Sequence, residues 1–180
     1  ESRRVLEARV TKDQLLPLLE STGQYHEAFW NTAKEQGWTA LAMPEDFDGL
    51  ALGLVELGLI AHQAGRTLSG APFLTSSFGA AKAIEIYGSE AQKAKLLPGL
   101  ASGESIGAVA IASGADALPK QPQLVFADDR IDGMATGVSG GLVADIAIAL
   151  VQGPDGPALV VASLADVERQ AIESFDNSRC

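Results

Sequence analysis

A serine lies among glycines in the segment GVSGG, which runs from Gly137 to Gly141. The pattern GxSxG is typical of a nucleophile elbow, where a serine on a sharp strand-to-helix turn attacks an acyl carbon. That elbow needs a helix after the serine, but the residues that follow, LVADIAIALV, are typical of a strand. The glycines fit two other structures, a tight connection between strands and a bare backbone surface that a flat ligand can approach.

Other side chains with reactive groups are few and poorly grouped. The two histidines, His26 and His62, lie in helix-like segments without a second ligand or nucleophile at a suitable spacing. We expect both to be structural or surface residues. The acidic side chains of the segment MPEDFDG are expected to be turn residues at the start of the next helix rather than metal ligands. The sequence therefore indicates no metal site and does not identify a catalytic residue.

Composition and charge exclude several classes of function. The chain has 180 residues, 47% of them hydrophobic, and a net charge of −10 without a basic patch. A nucleic-acid partner is therefore not expected. No apolar run reaches the roughly 18 residues that cross a bilayer, so we expect no membrane span. The single cysteine, Cys180, and the lack of a signal-peptide pattern favour a cytoplasmic protein without disulfides.

The first hundred residues predict helices, from about 11 to 101. YHEAFWNTAKEQGW has apolar residues at helical spacing and a predicted left-handed cap at Gly37. LGLVELGLIAHQAGRTL is apolar almost all round, which predicts a buried helix. Ser89 and Gln92 predict a capping box at the start of another helix. The apolar helix faces predict four largely buried side chains: Leu59, Ile84, Ile86 and Leu97.

After Gly103 the chain changes to short apolar runs bounded by Gly, Pro and Asp, which is typical of strands. QGPDGPA predicts a hairpin between the last two runs, and the charged residues from Asp128 to Asp132 predict a second hairpin. The predicted fold class is α+β. A helical N-terminal domain over residues 1–103 is followed by an antiparallel β-domain over residues 104–180, which is expected to be incomplete.

Taken in order, these motifs resemble the acyl-CoA dehydrogenase family over residues 24–179. FWNTAKEQGWTALAMPEDFDGL is similar to the family's helix, Gly-Trp pair and Pro-Glu-Gly loop. FLTSSFGAAKAIEIYGSEAQKAKLLPGLASGE is the closest match, and IDGMATGVSGGLVADIAIALV resembles the β-domain segment that passes under the flavin. The resemblance implies FAD as cofactor, an acyl-CoA substrate, an electron-transferring flavoprotein as electron acceptor, and a homo-oligomer or heterotetramer.

The resemblance also implies four residues that contact FAD: Ala112, Ser113, Val138 and Ser139. After its first strand the family commonly has Thr-Glu-Pro, but this chain has IASGAD, with Ala112 and Ser113 at the threonine and glutamate positions. In the family's flavin-facing strand an aromatic residue is replaced here by Gly137. Ser139 retains the hydroxyl of that strand.

The sequence is consistent with three hypotheses. The first is that the chain is part of, or a divergent subunit of, an FAD-dependent acyl-CoA dehydrogenase, which the GVSGG segment favours. The second is a non-catalytic partner subunit that has lost flavin binding, which the IASGAD segment favours. The third is an unrelated α+β binding module, which predicts separate cores for the helices and the strands.

The catalytic carboxylate of the family comes from a C-terminal helical bundle. By this resemblance the bundle is expected after Cys180, so the C-terminal helical bundle is absent from the predicted fold. We therefore expect the 180 residues alone to be inactive.

Overall fold

The computed structural model describes residues 1–67, 72–111 and 121–172. The described residues form six α-helices, a π-helical segment over Thr75–Ala80 that leads directly into the fifth helix, and five strands. The helices are α1 (Ser2–Arg9), α2 (Lys12–Leu19), α3 (Glu27–Glu35), α4 (Leu54–Arg66), α5 (Ala81–Tyr87) and α6 (Glu90–Ser102). The strands are β1 (Gly107–Ala110), β2 (Leu124–Ala127), β3 (Arg130–Asp132), β4 (Ile146–Gly153) and β5 (Gly156–Ser163).

Helix ends follow the signals in the sequence. Gly37 follows α3 in the left-handed conformation, with φ of 68°. The backbone N–H of Ser89 donates to the side chain of Gln92 at 2.8 Å, and the Ser89 hydroxyl accepts from the Gln92 N–H at 3.3 Å. This reciprocal pair is the predicted capping box, and it satisfies two donors that the first turn of α6 leaves free. Both predicted helix boundaries are confirmed.

The loop MPEDFDG folds back on the residues that precede it. The Gly49 N–H donates to the Pro44 carbonyl at 3.0 Å, and the Leu50 N–H donates to the Ala40 carbonyl at 3.0 Å. A Cβ on Gly49 would lie 2.1 Å from the Met43 carbonyl oxygen, so only glycine fits at this position. The acidic side chains of the loop are exposed.

The sheet is mixed, which corrects the predicted antiparallel β-domain. β4 is parallel to β1 and, further along its length, parallel to β2, whereas β5 runs antiparallel on its other side. β3 pairs antiparallel with β2. The two tight hairpins were predicted correctly, but the long connection between β1 and β4 returns the chain in the same direction, as a parallel pair requires.

Both hairpins have the turn residues that the sequence predicts. In the β4–β5 hairpin, Gly153 lies opposite Gly156 and the intervening Pro-Asp pair forms the turn. In the β2–β3 hairpin, Asp128 and Asp129 have φ of 51° and 57°. Two successive positive φ values match the twist of the flanking strands, and aspartate tolerates this conformation better than most residues.

Helices and sheet share a core cluster. The cluster that contains Phe29 and Phe73 also contains Ala108 of β1 and Ala147 of β4. The two phenylalanine rings pack edge to face, with centroids 5.7 Å apart. The hypothesis of an unrelated binding module predicted separate cores, and this shared core counts against it.

Burial separates the predicted core residues into two pairs. Ile84 and Leu97 are buried, with 2% and 0% of their surfaces exposed, as predicted. Leu59 and Ile86 are 61% and 62% exposed, so both predictions were wrong.

The prediction that α4 is a buried helix was wrong as well. Only one face of α4, formed by Leu57, Ile60 and Ala64, is buried. The described residues leave its opposite apolar face uncovered. None of the helices in the described ranges is long and apolar enough to cross a bilayer.

Candidate functional site

Residues 138–144 form two overlapping hydrogen-bonded turns, which we call the 138–144 turn. The Val138 carbonyl accepts from the Gly141 N–H at 3.0 Å, and the Gly140 carbonyl accepts from the N–H groups of Val143 at 3.2 Å and Ala144 at 3.0 Å. Ser139 therefore lies in a turn, whereas the resemblance placed it in a strand. The reason is local, because Gly137 and Gly140 have φ of 68° and 76° and interrupt the extended backbone.

One side of this turn lies against the helical layer. A Cβ on Gly140 would lie 3.1 Å from Pro72 Cβ and 3.1 Å from Thr75 Oγ1. Glycine at this position lets the backbone approach the start of the π-helical segment closely.

The end of the turn is fixed to the start of β1. The Asp145 N–H donates to the Ile106 carbonyl at 2.8 Å, and the Ile106 N–H donates to the Asp145 carboxylate at 2.8 Å. This two-way pair joins residues far apart in the sequence, and it holds the turn at one end of the β1–β4 pair.

The opposite side of the turn is open. Residues 133–137 and Ser139 are exposed, and a Cβ on Gly137 would meet no atom within 4 Å. Val138 instead points inward and packs against the shared core and against a second cluster that includes Ala110. Burial of Val138 leaves Ser139 on the outer surface of the turn.

Ala112 and Ser113 lie outside the described residues. β1 ends at Ala110, which belongs to the cluster that Val138 contacts. β1 therefore ends two residues before Ala112. A common site for all four predicted residues stays a prediction.

The π-helical segment packs closely on β1 and was not expected from the sequence. Ser76 Oγ accepts from the Gly107 N–H at 3.0 Å. A Cβ on Gly107 would lie 2.4 Å from Ala80 Cβ, and one on Gly79 would lie 2.7 Å from a methyl of Val109. Short π-helical insertions occur frequently at functional sites. The run of small residues in TSSFGAA was the available signal for this close contact.

Two apolar side chains project outward from this region. Leu74 and Phe78 are 50% and 44% exposed, although they flank the fully buried Ser76 and Ser77. The region thus combines an exposed apolar surface with the close helix–strand contact beneath it.

Neither histidine takes part in this region. His26 is the buried N-cap of α3, and its Nδ1 accepts from the Phe29 N–H at 3.1 Å. Burial lowers the pKa of His26 below its usual value. His62 is exposed on α4. The nucleophile elbow is also excluded, because Ser139 is followed by a single turn and β4 rather than by a helix.

Three glutamates on or next to the helices, Glu85, Glu90 and Glu104, lie in other surroundings. Glu85 pairs with Lys82 at 2.6 Å, and Glu90 pairs with Lys93 at 2.8 Å. Glu104 is exposed. The 138–144 turn can therefore offer backbone groups and a hydroxyl to a ligand, without a carboxylate among these residues to take a proton.

An arginine also contacts the turn and was missed by the sequence analysis. Arg169 Nη1 lies 3.0 Å from the Leu142 and Ala144 carbonyl oxygens and 3.3 Å from that of Gly141. No local pattern indicates this contact, since more than twenty residues and two strands separate the partners.

The N-terminal domain model of acyl-CoA dehydrogenases matches residues 2–104. Among curated proteins, the chain is 40% identical over 94 residues to a probable acyl-CoA dehydrogenase of Bacillus subtilis, covering 48% of this chain and 15% of that protein. It is 32% identical over 138 residues to the acyl-CoA dehydrogenase FadE28 of Mycobacterium tuberculosis, covering 76% of this chain and 39% of that protein. The chain thus spans less than half the length of these two relatives.

Solved structures share the fold. A variant of the Tcur3481-Tcur3483 steroid ACAD superposes with a TM-score of 0.79 and 26% identity, over 91% of this chain and 46% of that chain. An acyl-CoA dehydrogenase from Bacillus anthracis, complexed with FAD, superposes with a TM-score of 0.76 and 22% identity, over 91% of this chain and 30% of that chain.

Proposed function

The chain belongs to the acyl-CoA dehydrogenase family, and from this premise we propose that it forms the flavin-facing N-terminal part of an FAD-dependent enzyme. That enzyme removes hydrogen from the α and β carbons of an acyl-CoA thioester. The observation that carries the proposal is the open, glycine-rich side of the 138–144 turn, which packs on the helical layer and is hydrogen-bonded to the start of β1. The match to the N-terminal domain model and the FAD in the Bacillus anthracis structure support it.

The residues of the turn fit one edge of a flavin. Gly137 leaves open space where a larger side chain would project, so a flat ring can approach the backbone. Ser139 is exposed beside it and can donate a hydrogen bond to a polar atom at the ring edge. Val138 holds this surface in place through the core, and Ala112 and Ser113 are proposed as further contacts by the resemblance to the family. These residues would hold FAD, which when bound would supply the acceptor for the hydride from the β carbon.

The proton from the α carbon needs a separate group. A general base must lie within hydrogen-bonding reach of the proton that it removes. Glu85 and Glu90 are engaged by lysines, and Glu104 and Glu168 are exposed. We place the base outside these 180 residues, in a longer protein or in a partner subunit, since the chain spans only 39% of FadE28.

Partner molecules follow from the same proposal. The substrate is an acyl-CoA, an electron-transferring flavoprotein takes the electrons, and the protein works in the cytoplasm. It assembles as a homo-oligomer or a heterotetramer. The uncovered apolar face of α4, with Leu54, Val55 and Leu59 all more than half exposed, supports an assembly because such patches usually mark interfaces.

A second candidate function is a non-catalytic subunit of such an enzyme that has lost flavin. Ala112 and Ser113 favour it, because they replace the threonine and glutamate that the family commonly has there.

Flavin content distinguishes the two candidates. The complete protein that contains this chain is purified, its visible spectrum is recorded, and FAD is added in a titration. The main proposal predicts flavin absorbance or saturable FAD uptake. A colourless protein that takes up no added FAD would reject the main proposal and leave the partner subunit.

A further inference from the structure

The guanidinium of Arg169 contacts the carbonyl end of the 138–144 turn. Its Nη1 lies 3.0 Å from two carbonyl oxygens, those of Leu142 and Ala144, and 3.3 Å from a third, that of Gly141. The three carbonyl groups belong to the turn before β4, and Arg169 belongs to the chain that follows β5. Such a convergence on one nitrogen is more than a single surface hydrogen bond provides.

The turn needs a donor at this end. The Asp145 N–H donates to the Ile106 carbonyl, outside the turn, and β4 begins at the next residue, so the chain does not continue to donate back to the last carbonyl groups of the turn. Ala144 is 2% exposed, so solvent has little access to this residue.

The segment that carries Arg169 is itself placed by the core. Leu164 is buried in the core shared by helices and sheet, and its N–H donates to the Asp145 carbonyl at 2.9 Å. Asp145 is the residue that joins the end of the turn to Ile106. Arg169 therefore reaches the turn from a fixed point, although its own side chain is exposed.

We propose that Arg169 is a positioning residue for the flavin-binding surface, which is an inference that rests on the proposed function. Its guanidinium fixes the carbonyl end of the turn. Gly140 fixes the side that lies against the helical layer, close to Pro72 and Thr75. Held at both places, the turn keeps the Ser139 hydroxyl at one orientation. Loss of the guanidinium frees the turn and weakens FAD binding without unfolding the protein.

The choice of arginine is specific in this proposal. All three contacts come from one nitrogen, Nη1, whose two N–H groups the planar guanidinium holds in fixed directions, whereas lysine keeps the charge on a flexible stem. Arg169→Lys should therefore recover part of what Arg169→Gln loses. Arg130→Gln is the matched control, because Arg130 is an exposed arginine of the same sheet, in β3, and the substitution removes the same charge.

The experiment compares these three variants with the wild type in the complete protein. Hydrogen exchange of a peptide covering residues 137–145 is measured without flavin, and FAD affinity and the denaturant midpoint are measured on the same samples. For Arg169→Gln we expect faster exchange in this peptide. We also expect a dissociation constant for FAD about tenfold higher, which corresponds to about 1.4 kcal/mol. The midpoint should stay unchanged, Arg169→Lys should be intermediate, and Arg130→Gln should match the wild type.

Three results would overturn the inference. Unchanged exchange in Arg169→Gln would show that the guanidinium does not hold the turn. Faster exchange with unchanged FAD affinity would show that the turn does not position the flavin. A lowered midpoint with no recovery in Arg169→Lys would show a purely structural role. Failure of the wild type to bind FAD would instead reject the proposed function, and the role of Arg169 in flavin binding with it.

Discussion

At the scale of single residues, Ser139 makes the sharpest prediction about the cofactor. Its hydroxyl is exposed beside the open backbone at Gly137. Ser139→Ala should weaken FAD binding by the ~0.5–1.5 kcal/mol that one hydrogen bond contributes. A fluorescence titration with FAD measures this change, with Ser163→Ala, an exposed serine at the end of β5, as the control. Unchanged FAD affinity in Ser139→Ala would leave Ser139 as a turn residue without a ligand.

A second residue, His26, makes a prediction about pH. Burial lowers the pKa of His26 from its usual 6.5. The folded protein then binds this proton less readily than the unfolded chain. His26 therefore contributes its full stability above about pH 6.5, and this contribution is lost as the pH falls below that value. Protonation at Nδ1 would also remove the acceptor for the Phe29 N–H.

His26→Asn isolates this effect, because asparagine keeps an accepting side chain at the N-cap. We expect the decrease in unfolding free energy between about pH 7.5 and about pH 5.5 to be smaller in His26→Asn than in the wild type. Urea denaturation at both pH values measures it, and His62→Asn, at an exposed histidine, should behave like the wild type. Identical pH dependence in all three proteins would rule out the role assigned to His26.

At the scale of elements, the contact between the π-helical segment and β1 gives a matched pair of substitutions. Ser76 and Ser77 are adjacent and both buried, but only Ser76 has a partner, the Gly107 N–H. Ser77 Oγ has no hydrogen-bond partner among the described residues. Ser76→Ala leaves a buried N–H unsatisfied and should cost ~1–3 kcal/mol.

Ser77→Ala removes a buried hydroxyl that has no partner, so it should leave stability unchanged or raise it slightly. Chemical denaturation of both variants measures the difference. Equal losses in the two variants would mean that the hydrogen bond to Gly107 does not set the stability of this contact.

The elements also show where sequence reasoning succeeds. Caps and hairpins depend on a few neighbouring residues, and so Gly37, the Ser89 box and the Asp128–Asp129 turn could all be predicted. The parallel pairing of β1 with β4 depends on where a long connection leads, which local patterns do not specify. The exposed face of α4 was missed because an apolar pattern all round a helix does not specify which of its faces the rest of the chain covers.

The candidate site also has one part that the sequence indicates and another part that only the structure shows. GVSGG indicated an approachable backbone at Ser139, and the structure places that backbone on an open turn. The contact from Arg169 and the close packing of Gly140 on Thr75 join segments distant in the sequence. Such contacts have no local signal, so they required the structure.

At the scale of the whole molecule, the exposed apolar side chains predict assembly. Leu59 of α4 and Ile86 of α5 are both more than 60% exposed. The outer edge of β5 is also free of a partner strand among the described residues, and such edges favour pairing. We expect the complete protein to sediment as a dimer or a larger assembly. A stable monomer at high concentration would contradict this prediction.

The central claim is that this chain supplies the flavin surface of an acyl-CoA dehydrogenase and that the base comes from elsewhere. Anaerobic bleaching of the flavin by acyl-CoA tests it most directly, since bleaching needs both the hydride acceptor and the base. The complete protein is compared with the 180-residue chain supplied with FAD. We predict bleaching by the complete protein and none by the 180 residues. Bleaching by the 180 residues at a similar rate, or none by the complete FAD-bound protein, would contradict the claim.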